Sequence, residues 1–330
     1  MKKKQFDQYE TQTRKTGKAV WFLLAAVILL AFINALIVFY YVPVKARSYE
    51  IDVQKKYKLL DPSQGIYNKK SLIINFQPLR DTLNIYEKNP QYNIGIYFEY
   101  LPTGANIAVN KDHAMWPASL LKIPVAMAAM KKVENGLWRL DNELVLLPED
   151  KNADYGEGYK AEVGTKYSIE KLIDESLMKS DNTAHYILLR NLDAEELLSI
   201  YDHLGLDDVR TSRTEKLTAK RYSIFFRALY MSSFLRPEYS QKLLNILAGS
   251  AFKDFLSSGL PANVPFAHKF GVQAEKDTFA DSGIVYVPDR PYILTVMIEG
   301  KDKTATEDGA KQLMKEISRS VYGYISNYSD

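Results

Sequence analysis

The sequence predicts an α/β protein of the α+β kind: a five-stranded antiparallel sheet flanked by helices, with an inserted helical subdomain. One transmembrane helix precedes it. Three observations predict this: strand patterns lie near both ends of the larger part, a helix-rich stretch separates them, and an uncharged apolar run stands near the N-terminus. With 46% hydrophobic and 25% charged residues, the composition is that of a folded protein.

Charge and cysteine content exclude several classes of function. The 43 basic and 40 acidic residues nearly balance, so the sequence gives no reason to expect a nucleic-acid partner. There is no cysteine, which excludes disulfides, thiolate metal sites and a cysteine nucleophile. No pattern of ligand residues indicates a metal site or a cofactor. The chemistry must therefore rest on other side chains.

Residues 19–42, AVWFLLAAVILLAFINALIVFYYV, carry no charge. As a helix they would span about 36 Å, enough to cross a bilayer. Trp21 at one end and Tyr40 and Tyr41 at the other suit the membrane interfaces. We expect an uncleaved single-pass anchor in the cytoplasmic membrane, with residues 1–18 as a cytoplasmic tail and the rest outside. Basic residues flank both ends, so the charge rule supports this orientation only weakly. The alternative is a buried core helix.

The remaining chain divides into a stalk at residues 43–75 and a folded domain at residues 76–330. The stalk has no sustained period and includes the turn-like DPSQG. FQPLRDTLNIYEK, from Phe76, has apolar residues at helical spacing. NIGIYFEY and ANIAVN follow as strand candidates, and Pro102-Thr103-Gly104 joins them into a hairpin.

The helix-rich stretch covers about residues 119–257 and is the predicted insert. Three strand candidates come after it: PFAHKFGV, FADSGIVYV and YILTVMIE. An amphipathic helix, GAKQLMKEISRSVYGYI, ends the pattern. Strands from both ends of the domain are therefore expected to form one antiparallel sheet.

A serine and a lysine stand three residues apart in WPASLLKIPVAMAAM, as Ser119 and Lys122. At the start of an apolar helix they would share one face, and burial there would lower the pKa of the lysine, as a general base for serine requires. The alternative is that Ser119 caps the helix and Lys122 is solvated. Spacing alone is unspecific, since the chain has three more such pairs: Ser168/Lys171, Ser176/Lys179 and Ser250/Lys253.

Two further stretches favour the catalytic interpretation of Ser119 and Lys122 over the helix-cap alternative. Ser180-Asp181-Asn182 stands at the front of another apolar helix, and Lys269-Phe270-Gly271 lies in a strand candidate. Ser-x-x-Lys, then Ser-Asp-Asn, then Lys-x-Gly is the set found in class A β-lactamases and penicillin-binding proteins. From about Phe76 to its C-terminus the chain resembles class A β-lactamases. The resemblance implies a β-lactamase/transpeptidase-like fold and a serine hydrolase.

The resemblance also implies roles for the motif residues. Ser119 would attack a carbonyl and form an acyl-enzyme, and Lys122 would take or relay its proton. Ser180 would pass a proton to the leaving nitrogen. The oxyanion would be bound by the backbone N–H groups of Ser119 and Val272.

Substrate binding is implied for three more residues. Asn182 would hold the amide oxygen of the substrate. Lys269, with Gly271, would bind the carboxylate shared by β-lactams and D-alanyl peptides. The alternatives are helix-cap roles for Ser180, Asp181 and Asn182 and a strand-edge charge for Lys269.

Two departures from the family pattern affect the prediction. Phe270 stands where the third motif usually has a hydroxyl residue, so a hydrogen bond to the substrate carboxylate is expected to be missing. The Glu-x-x-Leu-Asn pattern that supplies the deacylating glutamate is absent from DDVRTSRTEKLTAKRYSIFF, where a shortened loop is expected. Glu215 is the nearest candidate, but its surroundings do not match, and a solvated loop glutamate is the simpler interpretation. We therefore expect acylation to be intact and deacylation to be impaired.

Three functions remain open at this level. The leading one is a membrane-anchored serine hydrolase acting outside the cytoplasmic membrane on a β-lactam or a D-alanyl cell-wall peptide. The alternative is a non-catalytic descendant that binds peptidoglycan stems or a partner protein. A structural membrane protein with an accidental motif set would place Ser119 far from Lys269. The four histidines, being unclustered, are interpreted as structural: His113, His185, His203 and His268.

Overall fold

The computed structural model describes residues 2–45, 56–61, 74–206, 216–273, 275, 277–302 and 305–328. The chain forms two compact units, Met1–Lys56 and Tyr57–Asp330. Much of the predicted stalk, and the predicted shortened loop with Glu215, lie outside the described residues.

The first unit is one long helix. Helix α1 spans Lys2–Leu36. A π-helical turn, Ile37–Tyr41, follows it, and the chain stays helical to Lys45. Its apolar part, Val20–Lys45, has 26 residues, which at ~1.5 Å per residue exceeds the thickness of a bilayer core. None of that part is buried, so the interpretation as a buried core helix is wrong. By length and composition it is a candidate membrane span or a signal sequence.

The second unit is built on the predicted five-stranded antiparallel sheet. The sheet strands are β1 Tyr92–Tyr100, β2 Ala105–Val109, β5 Phe266–Gln273, β6 Thr278–Val285 and β7 Tyr292–Gly300. Their order across the sheet is β2-β1-β7-β6-β5. All neighbouring strands are antiparallel, and strands from both ends of the domain meet where β1 pairs with β7.

Helices cover both faces of the sheet. In chain order the helices of this unit are α2 Gln77–Asn84, α3 Lys122–Glu134, α4 Ile169–Met178, α5 Asn182–Arg190, α6 Ala194–His203, α7 Ala219–Tyr230, α8 Pro237–Ala248 and α9 Glu307–Asn327. On one face of the sheet the apolar sides of α2 and α9 pack against alternate residues of every strand, and on the other face the inserted helices form a larger core.

The predicted insert is mostly, but not wholly, helical. It contains a second, two-stranded antiparallel sheet of β3 Glu143–Val145 and β4 Lys166–Ser168. Strands of three residues are too short to show a repeating pattern, so this small sheet has no signal in the sequence.

Part of the predicted stalk packs on the folded unit. The N–H of Leu59 donates to Gln241 Oε1 at 2.9 Å, and Tyr286 donates its hydroxyl to Leu59 O at 2.9 Å. The N–H of Asp61 bonds Tyr230 O, and Leu60 is buried in the helical core. Ordered structure in this unit therefore begins before Phe76, the predicted start of the domain.

Candidate active site

Ser119 lies in a 3₁₀ turn, Ala118–Leu121, immediately before α3. Lys122, the first residue of α3, donates from Nζ to Ser119 Oγ at 2.8 Å. Lys122 is only 3% exposed, and Ser119 makes no capping bond to the helix. The cap-and-solvated-lysine interpretation is therefore wrong.

The environment of Lys122 lowers its basicity. Burial is the main cause and brings its pKa from 10.5 down to about 8, although the negative charge of Asp181 works in the opposite direction. Nζ also donates to Asn182 Oδ1 at 2.6 Å. A lysine with a pKa near 8 holds an appreciable neutral fraction at physiological pH, as a general base requires.

Asp181 fixes the backbone of the second motif. It caps α5 by accepting from Ala184 N at 2.8 Å, which confirms the helix-cap interpretation for this residue. Its other oxygen accepts from the N–H groups of Glu157 and Gly158, at 2.8 and 2.7 Å. The carboxylate thus ties the loop before β4 to the start of α5.

A glycine is required where that loop meets Asp181. Gly156 has φ +85°, and a Cβ there would lie 2.1 Å from Asp181 Oδ2. Two non-glycine residues of the site have the same left-handed backbone: Ala118 at φ +50° and Ser180 at φ +57°. Both conformations disfavour an L-residue and are held by the surrounding contacts.

Asn182 is oriented from both sides. Its Oδ1 accepts from Lys122, while its Nδ2 donates to Asn152 Oδ1 at 2.8 Å. Its backbone N–H donates to Tyr155 O at 3.0 Å, and Asn152 N bonds Thr183 Oγ1. The sequence analysis missed Asn152 and Tyr155, because no local pattern shows that the loop folds back onto α5.

Lys269 on β5 completes the cluster. Its Nζ donates to Ser180 Oγ and to Phe270 O, each at 2.9 Å. It is 1% exposed, and burial, reinforced by repulsion from Lys122, holds its pKa well below the usual value, with Asp281 opposing the shift. Although β5 is an edge strand of the sheet, the side chain of Lys269 is buried, so its interpretation as a mere strand-edge charge is wrong.

Gly271 allows β5 to approach the Ser119 turn. A Cβ at this position would lie 2.8 Å from Ser119 N and 3.1 Å from Pro117 O. This contact, with the bond from Lys269 to Ser180, brings the three motifs together, which contradicts the accidental-motif hypothesis. Val272 follows on β5, and the oxyanion role of its N–H stays a prediction.

An aromatic cluster surrounds Phe270. Its ring centroid lies 4.0 Å from that of Phe252, 5.5 Å from that of Phe255 and 5.8 Å from that of Tyr155. The ring also lies 4.6 Å from Lys269 Nζ. We call these four aromatic side chains the Phe270 cluster. The sequence located Phe270 but not its neighbours.

His185 is the histidine that responds electrostatically to the motif lysines. Burial, followed by repulsion from Lys122 and Lys269, lowers its pKa to about 3, so it is neutral at physiological pH. The other three histidines bond elsewhere: His113 to Glu299, His203 to Ser233 O and His268 to Asp281. Their structural interpretation stays a prediction.

Comparisons with known proteins identify the family and the fold. A model of the Beta-lactamase enzyme family matches residues 78–325. The β-lactamase VEB-1 of Pseudomonas aeruginosa is 22% identical over 246 residues, covering 67% of this chain and 81% of its own. A β-lactamase of Bacillus subtilis (strain 168) is 25% identical over 255 residues, covering 71% and 80%.

Solved structures share the fold. PBP-A superposes with a TM-score of 0.67 at 23% identity, over 76% of this chain and 97% of its own. The ancestral (GNCA) class A β-lactamase gives 0.66 at 24% identity, over 74% and 98%. A PBP-A mutant with the same TM-score was solved as an acyl-enzyme complex with penicillin G. These likenesses confirm the predicted fold.

Proposed function

This chain belongs to the β-lactamase enzyme family, and from that premise we propose that it is a membrane-anchored serine hydrolase acylated at Ser119 by a β-lactam or a D-alanyl cell-wall peptide. One observation carries the proposal: Lys122 Nζ lies 2.8 Å from Ser119 Oγ, buried and with its pKa lowered to about 8. A serine hydroxyl needs such a base to become nucleophilic.

Acylation would proceed by a balanced proton transfer. Neutral Lys122 takes the hydroxyl proton of Ser119, and Oγ forms a bond to the substrate carbonyl carbon. The carbon–nitrogen bond then breaks, and the proton passes from Lys122 to the leaving nitrogen through Ser180. In a β-lactam the leaving nitrogen stays tethered to the acyl group.

The remaining motif residues would position the substrate. Asn182, held by Lys122 and Asn152, would donate to the amide oxygen of the substrate once the site is occupied. The N–H groups of Ser119 and Val272 would bind the oxyanion. The contact of Gly271 with Ser119 N supports this, since it keeps β5 close to the nucleophile.

Hydrolysis of the acyl-enzyme would be slow. The Glu-x-x-Leu-Asn pattern that supplies the deacylating base in class A enzymes is absent from the sequence. Glu215, the nearest glutamate, belongs to residues 207–215, outside the described part. We therefore propose a penicillin-binding role in preference to efficient β-lactam resistance.

The apolar helix sets the proposed location. Val20–Lys45 would anchor the chain in the cytoplasmic membrane with the second unit outside. Cell-wall peptides and β-lactams are both encountered there, which makes location and substrate consistent.

Intact-mass spectrometry of the full chain in detergent micelles tests this function. We expect benzylpenicillin to give a 1:1 adduct on Ser119 that persists for hours, and Ser119→Ala to give none. Ser168→Ala is the matched control, because it alters another Ser-x-x-Lys pair.

Two results would overturn the proposal in different ways. Rapid loss of the adduct with product release would identify a true β-lactamase. Absence of any adduct on the folded wild-type chain would favour the non-catalytic, peptidoglycan- or partner-binding alternative.

A further inference from the structure

The Phe270 cluster bears on which substrates the site accepts. We propose that it makes Phe270 a specificity-determining residue, which favours acyl donors whose carboxyl group on the leaving-group side is blocked as an ester or amide. Free carboxylates would be disfavoured. This inference rests on the proposed acylation of Ser119.

The position of the leaving group follows from the hydrogen bonds. Ser180, the proposed donor to the leaving nitrogen, is bonded through its Oγ to Lys269. A group attached to that nitrogen would therefore lie near Lys269, whose Nζ is 4.6 Å from the centre of the Phe270 ring.

Lys269 has little capacity left for an anion. Two of the three donors of its ammonium group are used within the protein, by Ser180 Oγ and by Phe270 O. The residue is 1% exposed, and Asp281 already interacts with its charge. Its lowered pKa further reduces the positive charge that would attract a carboxylate.

The ring of Phe270 cannot easily move aside. It is 2% exposed, stacks on Phe255 and packs closely on Phe252. Tyr155 completes the Phe270 cluster, and its backbone carbonyl accepts a hydrogen bond from the N–H of Asn182. Moving the ring would leave a void in packed surroundings, which is costly.

The two kinds of substrate would differ in what they lose beside Lys269. A carboxylate there loses hydration and meets no hydroxyl at position 270 that could donate a hydrogen bond to it, which is unfavourable. A methyl ester or a continuing amide carries no charge, so it loses less hydration at the same place. The covalent step is the same in both: Ser119 Oγ bonds to the carbonyl carbon, and the leaving nitrogen receives the proton.

A matched pair of substrates tests the inference: benzylpenicillin and its methyl ester, with acylation of the full-length chain followed by intact mass. We expect the wild type to react with the ester at least as fast as with the free acid. Phe270→Thr, which replaces the ring with a hydroxyl, should raise the acid-to-ester rate ratio by about tenfold to a hundredfold, the value of one hydrogen bond to a charged group.

Phe252→Leu is the matched control, because it loosens the same cluster but keeps the ring next to Lys269. It should change both rates by the same factor, and thermal melts of both variants would establish that they fold. A wild-type preference for the free acid of tenfold or more, or an unchanged ratio in Phe270→Thr, would overturn the inference and leave the proposed function standing. No reaction of the folded wild type with either compound would overturn both.

Discussion

Two Ser-x-x-Lys pairs of this chain have the same spacing and opposite surroundings. In the pair Ser168/Lys171 the serine caps α4, accepting the backbone N–H of Lys171 at 3.2 Å. The lysine side chain is 54% exposed and bound to Glu175, which raises its pKa. In the pair Ser119/Lys122 the lysine is buried, bonds the serine hydroxyl, and has a pKa lowered to about 8.

The difference shows that the Ser-x-x-Lys spacing alone does not decide whether the lysine is a buried potential base or a surface cation. A carboxylate next to Lys171 keeps its ammonium form, whereas apolar burial of Lys122 favours the neutral amine. The first turn of α3 is enclosed by the helical core and β5, while the first turn of α4 borders solvent. The surroundings built by the rest of the chain therefore make a potential base out of one lysine and a surface ion pair out of the other.

Removing each lysine in turn gives the largest expected contrast. Lys122→Met should lower the rate of acylation by penicillin by roughly 10²–10⁴, the usual value of a general base. Lys171→Met should leave the rate within about twofold, since its half-exposed ammonium is paired with Glu175 and not with a motif residue. Rates from stopped-flow or intact mass would measure both, and equal losses would contradict the contrast.

The next largest effect on the acylation rate is expected from the close approach of β5 to the pair Ser119/Lys122. Gly271→Ala would place a Cβ 2.8 Å from Ser119 N and displace the turn or the strand. We expect acylation to fall by about a hundredfold to a thousandfold, in line with the loss of one positioned oxyanion donor.

Gly323→Ala is the control for this change, because a Cβ at that position in α9 meets nothing within 4 Å. It should leave the rate unchanged and slightly raise the melting temperature, since alanine favours helix. An active Gly271→Ala chain would show that the close contact is dispensable.

The pH dependence of the acylation rate also distinguishes the pair Ser119/Lys122 from the pair Ser168/Lys171, and the expected effect is smaller. Because Lys122 acts as a base only when neutral, the acylation rate should rise about tenfold per pH unit below its pKa and level off above about 8. The raised pKa of Lys171 keeps it charged through this range, so Lys171→Met should retain the profile. A flat profile between pH 6 and 8 would argue against Lys122 as the base.

The smallest effect is expected at the second pair. Ser168→Ala removes the cap of α4 and should lower the free energy of unfolding by about 1 kcal/mol, with the acylation rate unchanged. Chemical denaturation would measure the first quantity. If the free energy of unfolding and the acylation rate both fell, the loosened end of α4 would be shown to disturb the candidate active site.

Much of the fold could be predicted because strong local patterns encode it. The strands β1 and β7 are long and apolar, and the C-terminal helix α9 is clearly amphipathic. The small sheet of β3 and β4 could not be predicted, because three-residue strands are too short to show a repeating pattern. The docking of Leu59 and Leu60 depends on partners far along the chain, such as Gln241, and has no local signal.

The candidate site likewise contains residues that the sequence could predict and residues that it could not. The sequence located Ser119, Lys122 and Lys269 because their motifs are contiguous. It missed Asn152, which reaches Asn182 across 30 residues of chain, and the partners of Phe270, which come from separate loops. Contacts that depend on loop conformation are not visible in a linear pattern.

The left-handed backbone at Ala118 and Ser180 has a consequence for directed evolution. Each conformation costs roughly 1–2 kcal/mol for an L-residue, and glycine would remove that cost. Selection for heat resistance alone should therefore favour glycine at both positions. Selection for acylation should accept glycine at 118 and reject it at 180, where the hydroxyl bonds Lys269. The two selections would diverge at a single residue, and sequencing the survivors would show which property had been under pressure.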